Sequence, residues 1–208
     1  MSETPTPAAP SQGRFPLLVP AELAPEQASL YGAIAGPPRA DGPFRLTYDD
    51  GALTGPFNVL LFAPAIGQAV QELGAVLRFR GSLPGRLREL VICTLAAELE
   101  SDYEWYAHSR VALTAGVSAT ELEELGSGRL PATLDSAEHA ALDLVRALLD
   151  SATVSERVHA AAAEHFDHAG ITELTVLTGY YRLLAGLLAV GAVPAPSEPG
   201  HGTTHTRP

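Results

Sequence analysis

Residues 86–116, RLRELVICTLAAELESDYEWYAHSRVALTAG, decide the fold and hold most of the ionisable groups suited to chemistry. Leu87, Leu90, Val91, Thr94 and Leu95 follow the spacing of one buried helical face. A break over 100–102 separates them from a second helix, so the stretch reads as a helical hairpin. On the first helix Glu89 and Cys93 stack on another face with Ala96 and Ala97. Two readings of Glu89 stand. Burial on an apolar helix raises a carboxyl pKa and suits a proton donor or relay; pairing with Arg86 or Arg88 makes it structural. On the second helix Ser101, Glu104 and His108 share a face flanked by Tyr103 and Trp105. A glutamate one turn from a histidine can orient the imidazole. Equally, residues 101–104 match a capping box, which gives Glu104 a structural role, and His108 an ordinary place in the core.

The hairpin brings the two faces to similar heights. Glu89 lies about 16 Å back from the break and His108 about 12 Å beyond it, at a rise of about 1.5 Å per residue. If the faces meet, Glu89, Cys93, Glu104 and His108 form one cluster. Cys93, amid Val91, Ile92, Thr94 and Leu95, reads as a buried, inert thiol. His139, His159, His165 and His168 have no acidic or cysteine partners at metal-binding spacing. With no zinc, P-loop or dinucleotide motif, neither a metal nor a cofactor is expected.

Working outward, the pattern predicts an all-α fold. A helix over 25–35 puts Leu30, Tyr31 and Ile34 on one side and stops at Gly36-Pro37-Pro38. Residues 39–57 hold several breakers and read as a loop with a short extended piece at 45–48. Residues 58–77 read as a helix restarted at Pro64, with Leu60, Leu61, Ala65, Val70, Leu73 and Leu77 on its apolar side. Ser118 and Glu121 form a capping box, and Asp135 and Glu138 cap a helix over 135–150. A helix over 155–166 follows. The helix over 170–193 is apolar on most sides; its leucines and valines do not fit one stripe, which predicts an interface with a second copy. Residues 1–19 and 194–208 read as flexible arms, leaving one domain over 20–193.

The 208 residues suffice for one such core. A net charge of −11 disfavours nucleic acid and anionic membranes as partners. The single cysteine fits a reducing compartment. The opening MSETPTP lacks the parts of a signal peptide, and the apolar run 183–193 is short for a bilayer span. A cytoplasmic protein outside the membrane is expected.

Leu87-Arg88-Glu89-Leu90, Tyr103-Glu104-Trp105, His108 and Ala115-Gly116-Val117-Ser118 together resemble the carboxymuconolactone decarboxylase family, whose superfamily includes alkylhydroperoxidase D. Gly55-Pro56-Phe57-Asn58 and Pro64 resemble the segment upstream, and Gly179-Tyr180-Tyr181 the segment downstream. The resemblance implies an all-α bundle assembled as trimers, dimers or hexamers. The peroxidase branch uses Cys-x-x-Cys-x-x-x-His with an upstream glutamate; here His108 and Glu89 match, while the cysteine positions fall on Ser101 and Glu104. A dithiol cycle needs two thiols, so the decarboxylase branch is the better match. The expectation is a cofactor-free acid–base enzyme on a small carboxylated or carbonyl compound. His108 is its acid–base, Glu104 the orienting group and Glu89 the relay. Tyr103, Trp105, Phe57 and Ser101 line the pocket, and Arg78, Arg80 or Arg86 binds the substrate carboxylate. The alternatives are an alkylhydroperoxidase-like antioxidant protein and a binding protein that kept the fold without the chemistry.

Overall fold

The computed structural model describes residues 11–151 and 153–196. Among them the helices run α1 (Pro25–Ala35), α2 (Pro56–Leu60), α3 (Pro64–Phe79), α4 (Gly85–Glu98), α5 (Asp102–Thr114), α6 (Ala119–Gly126), α7 (Ser136–Asp150), α8 (Glu156–Ala163) and α9 (His168–Gly191). Local chemistry sets these bounds. Proline occupies the first turn of α1, α2 and α3, where the missing N–H costs nothing. Ser118 with Glu121 and Asp135 with Glu138 form the two expected capping boxes. Glu100 adopts φ 52°, a left-handed conformation that reverses the chain between α4 and α5.

The hairpin α4–α5 forms as expected, but α4 has no solvent face along most of its length. Residues 89–97 are all buried, because α5, α6, α7 and α9 surround the helix. On α3 the expected apolar side is partly corrected: Leu73 is exposed, and Gly67, Gln71, Gly74 and Leu77 point inward. Small residues are needed there, since a Cβ on Gly74 would collide with the Tyr180 hydroxyl.

The helix α9 buries Leu174, Leu177, Leu184 and Leu188 within the chain and leaves Val176, Leu183 and Val190 exposed. With 24 residues, and a mean hydropathy of 1.4 over an 18-residue window, it is long and apolar enough to cross a membrane by composition. It packs instead against α2, α3, α4, α7 and α8 as a core helix.

The expected flexible arm falls partly outside the described residues, as does the tail beyond 196. Where described, the arm is ordered. Strands β1 (Ser11–Gln12) and β2 (Phe15–Pro16) form a small hairpin. Leu17 is buried, and the Leu18 N–H donates to the Asn58 side-chain oxygen at 3.0 Å. The N–H of Arg14 donates to the Gly191 carbonyl at 2.6 Å, so the hairpin seals the C-terminal end of α9. Composition alone gave no sign of this, because the partners are far along the chain.

Candidate functional site

Three helices converge on His108. It sits on α5 and is 5% exposed. Its Nδ1 lies 2.8 Å from Glu89 Oε2 on α4. Its Nε2 lies 3.1 Å from the Tyr181 hydroxyl on α9 and 3.6 Å from Glu104 Oε2, one turn back on α5. The faces of the hairpin therefore meet at the heights that helix geometry predicted. Cys93 is also buried here; burial, reinforced by Glu89, pushes its thiol well above the ordinary range, which keeps it protonated and inert.

The two carboxylates behave oppositely, and not as their sequence positions implied. Burial pushes Glu89 upward, but His108, Arg88 and Arg78 outweigh it and hold Glu89 below the usual value. The Arg88 Nε stands 3.4 Å from Glu89 Oε1. The expected rise in the Glu89 pKa is thus corrected. Because Glu89 is ionised, it accepts from Nδ1–H, and the direction of the Nε2–Tyr181 hydroxyl bond follows the protonation of the ring. Glu104 is 4% exposed, and burial raises its pKa to about 7, with His108 and Arg78 pulling down and Glu89 adding to the rise. Its capping role is absent: Ser101, at the N-cap of α5, makes no side-chain capping bond.

A cavity of about 30 Å³ opens onto this group, lined by His108, Glu104, Tyr103, Phe57, Arg39, Arg78 and Tyr181 among others. That is room for about one water. Tyr103 and Phe57 line it as expected. The Tyr103 hydroxyl also bonds Thr54 Oγ1 at 2.7 Å, fixing the 36–54 loop to α5. Gly55, at φ 60°, makes this possible, since any Cβ there would enter the Tyr103 ring.

Two expected wall residues do not line this cavity. Trp105 points the other way, its ring lying against Gly126 on α6. Ser101 lines a separate cavity of about 180 Å³ with Leu188 and Val193, and its buried Oγ has no hydrogen-bond partner. Of the three arginines offered for a carboxylate, Arg78 lines the His108 cavity. Arg86 is engaged elsewhere, by Glu121 and Glu138 at 2.7 Å each. Arg80 is exposed and lies outside the cavity lining. Arg39 and Tyr181 escaped sequence reasoning. The pair Tyr180-Tyr181 was visible as part of a resemblance, but nothing local ties it to a histidine 73 residues away. Among the described residues no three His, Cys, Asp or Glu side chains are placed so that they could hold a metal ion. His139 does have an acidic neighbour, Asp143 at 3.4 Å, against the sequence reading; the pair is solvent-accessible and distant in character from a metal site.

The bundle, with a histidine held between glutamates from both arms of its central hairpin, is an alkylhydroperoxidase D-like fold. An uncharacterised peroxidase-related protein from Ralstonia eutropha JMP134, described as an alkylhydroperoxidase AhpD core, superposes with a TM-score of 0.73 at 17% identity, covering 90% of this chain and 94% of its own. A second peroxidase-related protein, from Silicibacter sp. TM1040, gives 0.68 at 16%, covering 93% and 96%. The debrominase Bmp8, solved in complex with 2,3,4-tribromopyrrole, gives 0.68 at 14%, covering 87% and 90%. These likenesses establish the fold. No curated protein matches the sequence. Residues 64–147 match the model of the carboxymuconolactone decarboxylase family. That match runs from α3 through most of α7 and contains Glu89, Tyr103-Glu104-Trp105 and His108, the residues that carry the resemblance.

Proposed function

We propose that this protein is a cofactor-free acid–base enzyme of the decarboxylase kind, acting on a small carboxylated or carbonyl compound in the cytoplasm. One observation carries the reading: His108 stands between two buried carboxyl groups of opposite proton affinity. Glu89 holds the Nδ1 proton, while Glu104, with a pKa of about 7, exists in both forms near neutrality. That is the property a general acid needs at its working pH. When the bond to a leaving carboxylate breaks, carbon dioxide departs and the electron pair stays on carbon. Protonated Glu104 supplies the proton to that carbon, directly or through His108, and is reprotonated from solvent. Glu89 and Tyr181 keep the imidazole in one orientation. The roles of the two glutamates are thus exchanged relative to those read from sequence.

A dithiol peroxidase cycle is disfavoured because Ser101 and Glu104 stand where the two cysteines would be, and the only cysteine is buried. Turnover assays on small acids and lactones, with peroxide in parallel, test the proposal. Loss of acid or lactone turnover in His108→Gln supports it. Full turnover in that variant, or peroxide reduction by the parent that survives Cys93→Ala, overturns it.

A homo-oligomer, as trimer, dimer or hexamer, belongs to the same proposal. The exposed row Val176, Leu183 and Val190 on α9 offers the apolar surface. Leu184 and Leu188 serve the chain's own core, so the charge substitution that tests association belongs at Leu183. Light scattering should show a multimer for the parent and a smaller species for Leu183→Asp; a monomeric parent would refute the assembly.

A further inference from the structure

Arg39 lies in the short helical turn Arg39–Asp41 and is 5% exposed. Its guanidinium makes only long contacts, 3.4 Å to Gln71 Oε1 and 3.5 Å to the Gln71 carbonyl, and covers the Phe57 ring at 5.1 Å. Among the described residues no carboxylate forms an ion pair with it. Arg78, which lines the same cavity, also has none; it lies over the rings of Phe44 and Phe79 at 5.3 and 5.4 Å. By contrast, Arg45, Arg86, Arg88 and Arg146 each have a carboxylate within 3.4 Å.

An arginine cannot relieve burial by losing its proton. A buried cation without an anion is therefore a standing cost. Here the cost is compounded, because burial and then the neighbouring Arg78 both act against the charged form of Arg39. Glu89, the ionised carboxylate nearby, is already committed to His108 and Arg88. The cavity thus has two guanidinium groups and a single carboxyl, Glu104, which burial keeps partly protonated. Phe44, Phe57, Tyr103, Tyr180 and Tyr181 supply aromatic wall, and His108, Ala107 and Leu184 stand among the rest of the lining. A planar carboxylate matches the guanidinium fork, and a cavity of about 30 Å³ limits the ligand to the smallest acids.

We propose that Arg39 and Arg78 form an anion seat in the His108 cavity, that a small carboxylate fills it, and that Arg39 selects acids over their neutral analogues. The inference deepens the acid–base reading, but its binding half stands without that chemistry. It makes Arg39 a specificity-determining residue, set on a loop turn far from the hairpin in sequence.

The test is calorimetric binding of formate and acetate, each beside its amide, to the full-length protein. The acids should bind and the amides should bind at least tenfold more weakly. In Arg39→Gln the affinity for acids should fall roughly 30-fold or more, the effect of removing one partner of a buried charge pair, with amide binding unchanged. Arg39→Lys should retain more acid affinity than Arg39→Gln, since it keeps the charge but loses the fork. Ligand-free Arg39→Gln should melt at or above the parent temperature, because it sheds an unpaired buried charge; a purely structural arginine would give a lower value. His108→Gln should still bind the acids, which separates failure of the seat from failure of the acid–base reading. Acids and amides binding alike, or Arg39→Gln binding acids as the parent does, overturns the proposal. If Arg39→Gln does not fold, Arg78→Gln decides: an acid-specific loss supports the seat, and unchanged affinity refutes it.

Discussion

Two charged clusters meet the first turns of α4. In one, Arg86 donates to Glu121, Glu138 and the Gly116 carbonyl, joining the end of α5 to the starts of α6 and α7. Both glutamates are also the third residues of capping boxes, so each oxygen has defined partners. In the other, Glu89 and His108 are joined, Glu104 stands 3.6 Å from the imidazole, and Arg39 and Arg78 have no carboxylate. In the first cluster every charged group has an oppositely charged partner, and this closed network holds helices together. The second is buried more deeply yet left unbalanced, and the imbalance moves proton affinities into the range where chemistry runs. Burial plus incomplete pairing, rather than charge density, marks the site.

The sharpest way to break this contrast is His108→Gln. On the proposed chemistry, turnover should drop about 10²- to 10⁴-fold, the usual contribution of a positioned acid or base, while urea denaturation shows a native fold. Next, Glu104→Gln removes a carboxyl that resists ionisation. A buried acid with a raised pKa costs stability as pH rises from its unfolded value of 4.5 to about 7. The variant should therefore gain up to about 3 kcal/mol on the parent at pH 8, at about 1.36 kcal/mol per pKa unit, with the gain vanishing below the unfolded value. Equal melting curves at both pH values would contradict the raised pKa. Parent turnover should fall as pH climbs past about 7.

The closed cluster should respond in the opposite sense. Arg86→Ala leaves two buried glutamates without their cation. A fully buried broken pair costs about 3–5 kcal/mol; because the Arg86 side chain is 28% exposed, solvent screening lowers the expected loss to about 2 kcal/mol. Arg86 holds the Glu121 carboxyl far below its ordinary pKa. That stability is present above pH 4.5 and is lost as pH falls toward the depressed value, so parent and variant should converge in strong acid. Chemical denaturation across pH measures it. The smallest effect is expected at Cys93: a thiol reagent should label it only at the rate of global unfolding, and rapid labelling of native protein would mean that α4 is not enclosed.

How much of this was legible in the sequence depended on distance along the chain. Capping boxes at Ser118 and Asp135, proline starts and the hairpin break are local, and each formed as read. The Glu89–His108 contact was also legible, because two rigid helices and a short turn fix relative height. Roles were not. Glu89 read as a carboxylate on an apolar helix and Glu104 as a partner of His108 or a cap, and only the depth of burial and the positions of His108, Arg88 and Arg78 decide which one ionises. Trp105 shows the limit of periodicity: it is a neighbour of Glu104 in sequence but lies about 100° around the helix, facing α6. Arg39 lay in a stretch rich in breakers, with nothing to announce that its side chain would be buried over the Phe57 ring.

The hairpin at 11–16 closing on Gly191 bears on how the chain is made. Synthesis runs from the N-terminus, so the first described segment to leave the ribosome is among the last to find its place. Tyr181 rides on the same late helix. A nascent chain that has just released α5 already holds Glu89, Glu104 and His108, yet their enclosure waits for α9. The protein should consequently be inert until nearly complete, and truncation before α9 should expose the Glu104 carboxyl to water and return it to an ordinary acid.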